Sequence, residues 1–133
     1  VLPGRPTEYS VYASEAYYTG PDSRLRRFTY RVDGFVSMHG NKAGGELITK
    51  PLQHSGRHLI VNYVAAAGGS LLVEARDLSG QPLTGFKTTD CAALRGDAIA
   101  QRVRWKGGKL PQDQVIQLRF LLRNADLYSV RFR

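Results

Sequence analysis

Val115-Ile116-Gln117-Leu118-Arg119-Phe120-Leu121-Leu122-Arg123, then Asn124-Ala125-Asp126, then Leu127-Tyr128-Ser129-Val130-Arg131-Phe132: this stretch decides the fold class of the chain. Read at period two, Ile116, Leu118, Phe120 and Leu122 fall on one side. Gln117, Arg119, Leu121 and Arg123 fall on the other. That is the alternation of a half-buried antiparallel strand, with Leu121 as the exception. Asn124-Ala125-Asp126 predicts a tight turn, because Asn and Asp side chains hydrogen-bond their own backbone in turns. The strand after it places Tyr128, Val130 and Phe132 on one side. Such a hairpin is marginal in water by itself, so its apolar face requires a second sheet across it.

The rest of the chain supplies that sheet. Residues 8–18 read as a first strand, with Tyr9, Val11 and Ala13 alternating against Ser10, Tyr12 and Ser14. Residues 24–32 read as a second. Neither of its sides is cleanly apolar, which places it at an edge or under another domain. Asp33-Gly34 predicts a hairpin reversal into residues 35–39. Gly40-Asn41-Lys42-Ala43-Gly44-Gly45 reads as another hairpin connection. It lacks the Gly-Lys-Ser/Thr ending of a phosphate loop. Further strands are expected at 46–49, 59–66, 70–78, 83–86 and 102–106, with Gly68-Gly69 and Ser79-Gly80-Gln81-Pro82 as turns. Residues 88–101 read as a surface loop with one turn of helix about 92–94, cut short at Gly96. Nine or ten short strands with no sustained helical period predict an all-β antiparallel sandwich or barrel, formed as one domain over 1–133.

At 133 residues the chain is long enough to bury ~65–70% of its unfolded surface without disulfides. Cys91 is the single cysteine, has no obvious base beside it, and reads as an inert thiol. No apolar run reaches the ~18 residues of a membrane span, so no membrane partner is expected. The opening Val1-Leu2-Pro3 suggests an excised domain or a processed product. The net charge of +8 admits an anionic partner. No helix-turn-helix, zinc spacing or aromatic RNA-binding signature accompanies it, so nucleic acid is disfavoured. An anionic polysaccharide and a solvated basic face without a specific partner remain.

The residues do not spell out catalysis. Glycoside hydrolysis needs two carboxylates in contrasting environments, and no two acids stand out as such a pair. His39, His54 and His58 lack a nucleophile motif near any serine. Asp90 and Asp97 are weak candidates for a structural calcium, since that ion wants six or more oxygens. No other cofactor is expected. Binding residues are sought among aromatics, whose apolar faces match the C–H face of a pyranose. Tyr12 lies on the polar side of its strand. Tyr17 and Tyr18 point to opposite sides, so one of them faces out. Trp105 shares its side with Val103, which places it in the core; a ligand platform is the alternative. Arg102, Arg104 and Lys106 alternate away from it, and Arg119 and Arg123 away from Phe120. Were those two strands neighbours, Arg104 and Arg119 would share a basic face suited to anionic glycans.

Arg24-Leu25-Arg26-Arg27-Phe28-Thr29, Asp33-Gly34-Phe35-Val36-Ser37, Gly44-Gly45-Glu46-Leu47-Ile48-Thr49-Lys50-Pro51-Leu52, Gly96-Asp97, Trp105-Lys106-Gly107-Gly108 and Asp126-Leu127-Tyr128-Ser129 span nearly the whole chain. In order and spacing they resemble a β-sandwich domain at the C-terminal end of bacterial, planctomycete-type proteins related to glycoside hydrolase family 32. The resemblance implies a jelly-roll-like accessory domain that follows a five-bladed propeller. It implies a polysaccharide or oligosaccharide partner, an adjacent catalytic domain in the same chain, and an extracellular or periplasmic setting. It carries over no binding residues. The catalytic carboxylates of such proteins belong to the propeller, so this domain is expected to be a non-catalytic module. A structural module that docks on the catalytic domain without binding glycan is the alternative.

Overall fold

A computed structural model describes residues 1–17 and 19–133. Strands make up 57% of the chain, and the one helical element among the described residues is a 3₁₀ turn at Thr88–Asp90, so the fold is all-β. All strand pairs are antiparallel. The sequence reads as one domain; the structure forms two compact units, Val1–Phe35 and Val36–Arg133.

The first unit is a two-stranded sheet of β1 (Glu8–Glu15) and β2 (Arg24–Arg31). Its register sets Tyr9 opposite Tyr30 and Val11 opposite Phe28. Directly opposed residues share a face, so one side of the ribbon gathers rings and the other takes Ser10, Tyr12 and Ser14. The chain then turns at Asp33, with φ at 51°, and the Gly34 N–H donates to the Arg31 carbonyl at 3.1 Å. No hairpin partner of β2 follows this turn.

The second unit is one curled six-stranded sheet. Its elements are β3 (Met38–Gly40), β4 (Gly45–Ile48), β5 (Leu52–Gln53), β6 (Leu59–Arg76), β7 (Gly96–Arg102) and β8 (Val115–Phe132). β6 lies between β7 and β8, while β3, β4 and β5 follow one another along the other edge of β8. The inward residues agree with the alternation: Leu59, Val61 and Tyr63, then Leu71, Val73 and Ala75 on β6, against Ile116, Leu118, Phe120 and Leu122 on β8, are all buried. They meet Phe86, Leu94, Val103 and Leu110 in one core, which makes the curled sheet sandwich-like.

Two expected turns are absent, and a third joins strands that pair with β8 rather than with each other. β8 runs unbroken through Asn124-Ala125-Asp126, and β6 runs unbroken through Gly68-Gly69. Both strands instead bend at the same level: the register jumps from Ala65↔Ala125 to Ser70↔Arg123, setting residues 66–69 against Asn124 alone. The glycine-rich loop is likewise no hairpin. It carries the edge past this bend, from Gly40 opposite Ala125 to Gly45 opposite Leu122. Asn124 takes φ of 47°, and its N–H donates to the Asn41 carbonyl at 2.8 Å. The bend shifts the inward parity of β8, so Ala125 and Leu127 are buried while Tyr128 is half-buried and Val130 exposed. A second register shift between Asn62 and Tyr63 leaves Tyr128 as the extra residue opposite them. The expected helical turn at 92–94 is also absent. Leu94 bridges Leu71, and β7 occupies much of the expected loop.

The bend requires a residue without a side chain. A Cβ on Gly69 would overlap the carbonyl oxygens of Asn124 and Arg123. Gly69→Ala is expected to cost about 1–3 kcal/mol, as forced overpacking does, read as a lowered urea midpoint at unchanged slope. A variant as stable as the parent would show that the close approach does not set the bend.

Candidate functional site

The exposed rings concentrate in the first unit. Among the described residues every aromatic side chain in the exposed class lies there: Tyr12, Tyr17, Phe28, Tyr30 and Phe35. One face of the β1–β2 ribbon carries Tyr9, Tyr30, Val11 and Phe28, and Phe35 caps its end. The Phe35 ring stacks on Tyr9 at 6.0 Å between centroids and tilts against Tyr30 at 5.5 Å. Farther along the same face, Glu15 is held between Arg24 and Arg26, each at 2.8 Å. From Tyr9 to Glu15 this strip is about 20 Å long at the rise of a strand. It presents ring faces at one end and planar hydrogen-bonding groups at the other. A surface of that kind can stack on flat apolar faces and donate or accept bonds around them.

The sequence-derived candidates are distributed over both units. Tyr12 is exposed on the opposite face of the ribbon, facing Arg27 in the register. Tyr17 is exposed just beyond β1. Tyr18 lies outside the described residues. Trp105 is 7% exposed; its Nε1–H donates to the Val73 carbonyl at 2.8 Å and its ring meets Phe86 edge-on at 5.6 Å. The core position stands, and the ring offers no open face to a ligand. Arg104 is exposed beside Trp105. The strands that would set Arg104 beside Arg119 are not neighbours, because β6 separates β7 from β8 and the chain leaves the ladder after Val103, whose N–H still donates to the Leu59 carbonyl at 2.9 Å. The shared basic face is therefore corrected.

Arg119 belongs to a charge network on the outer face of the sheet. Its Nε and NH2 donate to the two Glu46 carboxylate oxygens at 3.0 and 2.9 Å. Its NH1 lies 3.7 Å from Glu74, which also accepts from Arg76 at 2.6 Å and from the Thr88 N–H at 3.2 Å. Glu74 is buried, and two guanidinium groups with a backbone donor match its charge. The Arg119 guanidinium holds the Glu46 carboxyl below the ordinary glutamate range, and Glu46 in turn raises Arg119. Glu46, Ser70 and Arg123 border a cleft of about 540 Å3 that has Leu72 and Leu121 in its lining.

Asp90 is engaged by Lys106 at 3.8 Å and by the Lys87 N–H at 3.3 Å, while Asp97 sits on β7 opposite Val64. No group of three or more His, Cys, Asp or Glu side chains suited to a metal occurs among the described residues. Burial raises the Cys91 thiol, and Sγ accepts from the Val73 N–H at 3.4 Å, the environment of an inert cysteine. Among the described residues no helix is long and apolar enough to cross a membrane.

Comparison with family models, with curated proteins and with solved structures finds no match to this chain.

The ring face of the ribbon escaped the sequence reading, although its signal was there. Residues 24–32 have no clean apolar side, and that is how a strand reads when its rings stay uncovered. The register that adds Tyr9 and Phe35 to Phe28 and Tyr30 is non-local.

Two measurements check these placements. Trp105→Ala is expected to cost ~3–5 kcal/mol, and the parent's tryptophan emission should be blue-shifted and poorly quenched by iodide. Red-shifted, freely quenched emission would place the ring on the surface. Glu46 has a lowered folded-state pKa, so its stabilisation is present above the ordinary glutamate range and is lost as pH falls through the folded value. Arg119→Gln should therefore flatten the acid limb of unfolding free energy against pH. An unchanged limb would remove the Glu46–Arg119 pair from the stability of the fold.

Proposed function

We propose that this chain is a non-catalytic carbohydrate-binding module of a carbohydrate-active protein, and that the ring face of the β1–β2 ribbon is its sugar-binding surface. The observation that carries the reading is the exposure of that face. Phe28, Tyr30 and Phe35 are 37%, 42% and 67% exposed on a two-stranded sheet, where burial of rings is what ordinarily stabilises strands. A pyranose stacks its C–H face on such rings, and Arg24, Arg26 and Glu15 at the far end supply partners for hydroxyl groups. Tyr12, on the opposite face, and Tyr17, just beyond β1, are further exposed rings of the same unit outside that surface. The resemblance of the sequence to an accessory domain of glycoside hydrolase family 32-like proteins points to the same class of partner, and it alone supports an extracellular or periplasmic setting.

Affinity gel electrophoresis against soluble neutral polysaccharides (xyloglucan, mannan and mixed-linkage glucan) tests the reading. At least one should retard the protein. Phe28→Ala and Tyr30→Ala should each weaken that retardation about tenfold, ~1.4 kcal/mol, with Trp105 emission unchanged as the sign of an intact second unit. Failure of all three glycans to bind, or binding indifferent to both substitutions, would reject the ribbon as a glycan platform. The same face would then be read as the docking surface of a structural module on a partner domain.

A further inference from the structure

Cations gather at one end of the second unit with no carboxylate paired to them among the described residues, whereas Arg76, Lys106 and Arg119 of the same unit are paired. Ile60 on β6 is opposed by Arg102 on β7 and by Arg131 on β8. Directly opposed residues share a face, so the two arginines flank Ile60 on the outer side of the sheet, with their Cα atoms about 10 Å apart across two strand spacings. Two residues earlier the ladder continues: the His58 N–H donates to the Arg133 carbonyl at 2.7 Å and the Arg133 N–H returns a bond to His58 at 2.8 Å. The Leu110 N–H donates to the Arg57 carbonyl at 3.0 Å, which brings Lys109 to the same end. The five Arg and Lys side chains are exposed and His58 is half-buried.

None of the six forms an ion pair among the described residues. The contrast lies on the same strands, where Arg76 and Arg119 are paired with Glu74 and Glu46. The imidazole registers the field: desolvation first, then the charges of Arg102, Lys109 and Arg57, lower the His58 pKa from its ordinary value. Like charges on neighbouring strands oppose one another, and a bound anion removes that opposition.

We infer that Arg102 and Arg131, with His58, Arg133, Lys109 and Arg57 beyond them, form a cradle for a sulfated polysaccharide. Ile60 is its half-buried floor. Guanidinium groups on two walls suit planar, multidentate oxyanions, and cations at successive strand positions suit anionic groups repeated along a chain. Single-stranded nucleic acid is the competing polyanion. Grooves that hold it interleave cations with rings for the bases, and no exposed Phe, Tyr or Trp side chain stands in this unit among the described residues. The cradle does not depend on the ribbon binding neutral sugar.

The test compares dextran sulfate, uncharged dextran and oligothymidylate on the intact chain. Dextran sulfate should bind, weaken steeply between about 50 and 200 mM salt as the screening length shortens, and leave dextran unbound. The double variant Arg102→Ser, Arg131→Ser should lose about twenty-five-fold in affinity, since each cation near an anionic surface contributes roughly a factor of five. Arg123→Ser, on the other half of β8, should change little. An anion in the cradle favours the imidazolium, so saturating sucrose octasulfate should raise the His58 pKa in an NMR titration, and less so in the double variant. Absence of dextran sulfate binding, equal binding by the double variant, an unmoved His58, or tighter binding of oligothymidylate would each overturn the proposal.

Discussion

Gly69 lies so close to the backbone of Asn124 that no side chain fits between them, and the second unit is built around that approach. A strand of 18 residues paired to another of 18 would, if straight, be a ribbon about 60 Å long with no core. Bending both at one level folds the ribbon onto itself, so that Leu59, Val61 and Tyr63 from one half meet Leu71, Val73 and Ala75 from the other in one cluster. The bend is held from several directions. Asn124 donates its N–H to Asn41 and its side-chain amide to the Ala67 carbonyl at 3.4 Å. Arg95 donates to the Gly69 carbonyl at 2.9 Å, while its own carbonyl accepts from the Tyr63 hydroxyl at 2.7 Å. A second glycine allows the edge to follow: a Cβ on Gly40 would come within 2.5 Å of Leu122. Backbone polar groups freed by the interrupted ladder thus find partners, as buried ones must.

The same residues explain what could be read from the sequence. Period-two alternation is a local property, and it places Ile116, Leu118, Phe120, Leu122 and Trp105 correctly inside. A bend and a turn, however, use the same local chemistry. Gly-Gly, Asn-Ala-Asp and a glycine-rich run supply positive φ and side-chain bonds to the backbone in either case. Only the partner strand decides between them, and the partner of residues 66–69 is 55 or more positions away. β7 was hidden for a different reason. Gly96-Asp97-Ala98-Ile99-Ala100-Gln101-Arg102 has little strand propensity, and its backbone ladder to β6, not its side chains, defines it.

For the candidate sites, charge was legible and pairing was not. Composition gives an excess of eight positive charges but no hint that Arg119 lies between two carboxylates while Arg131, twelve residues along the same strand, lies between none. Nor does it show that the exposed rings and the unneutralised cations fall in different units. The ring end of the first unit's face is apolar, and stacking on it is short-ranged. The cation cluster of the second is long-ranged and screened.

The distribution of acids along the β6–β8 ladder makes the cation cluster more than a consequence of net charge. At one end Glu46 and Glu74 neutralise Arg119 and Arg76; near the middle Asp126 accepts from Ser37 at 2.9 Å and lies 3.1 Å from His39. Beyond Asn62 the charged and titratable side chains on the ladder, among the described residues, are cations and the His58 imidazole. A surface that needed charge for solubility alone could interleave signs on adjacent strands, which removes repulsion at no loss of hydration. Concentrating one sign on three adjacent strand ends, around a single isoleucine, leaves a repulsion that a ligand of opposite charge is suited to relieve.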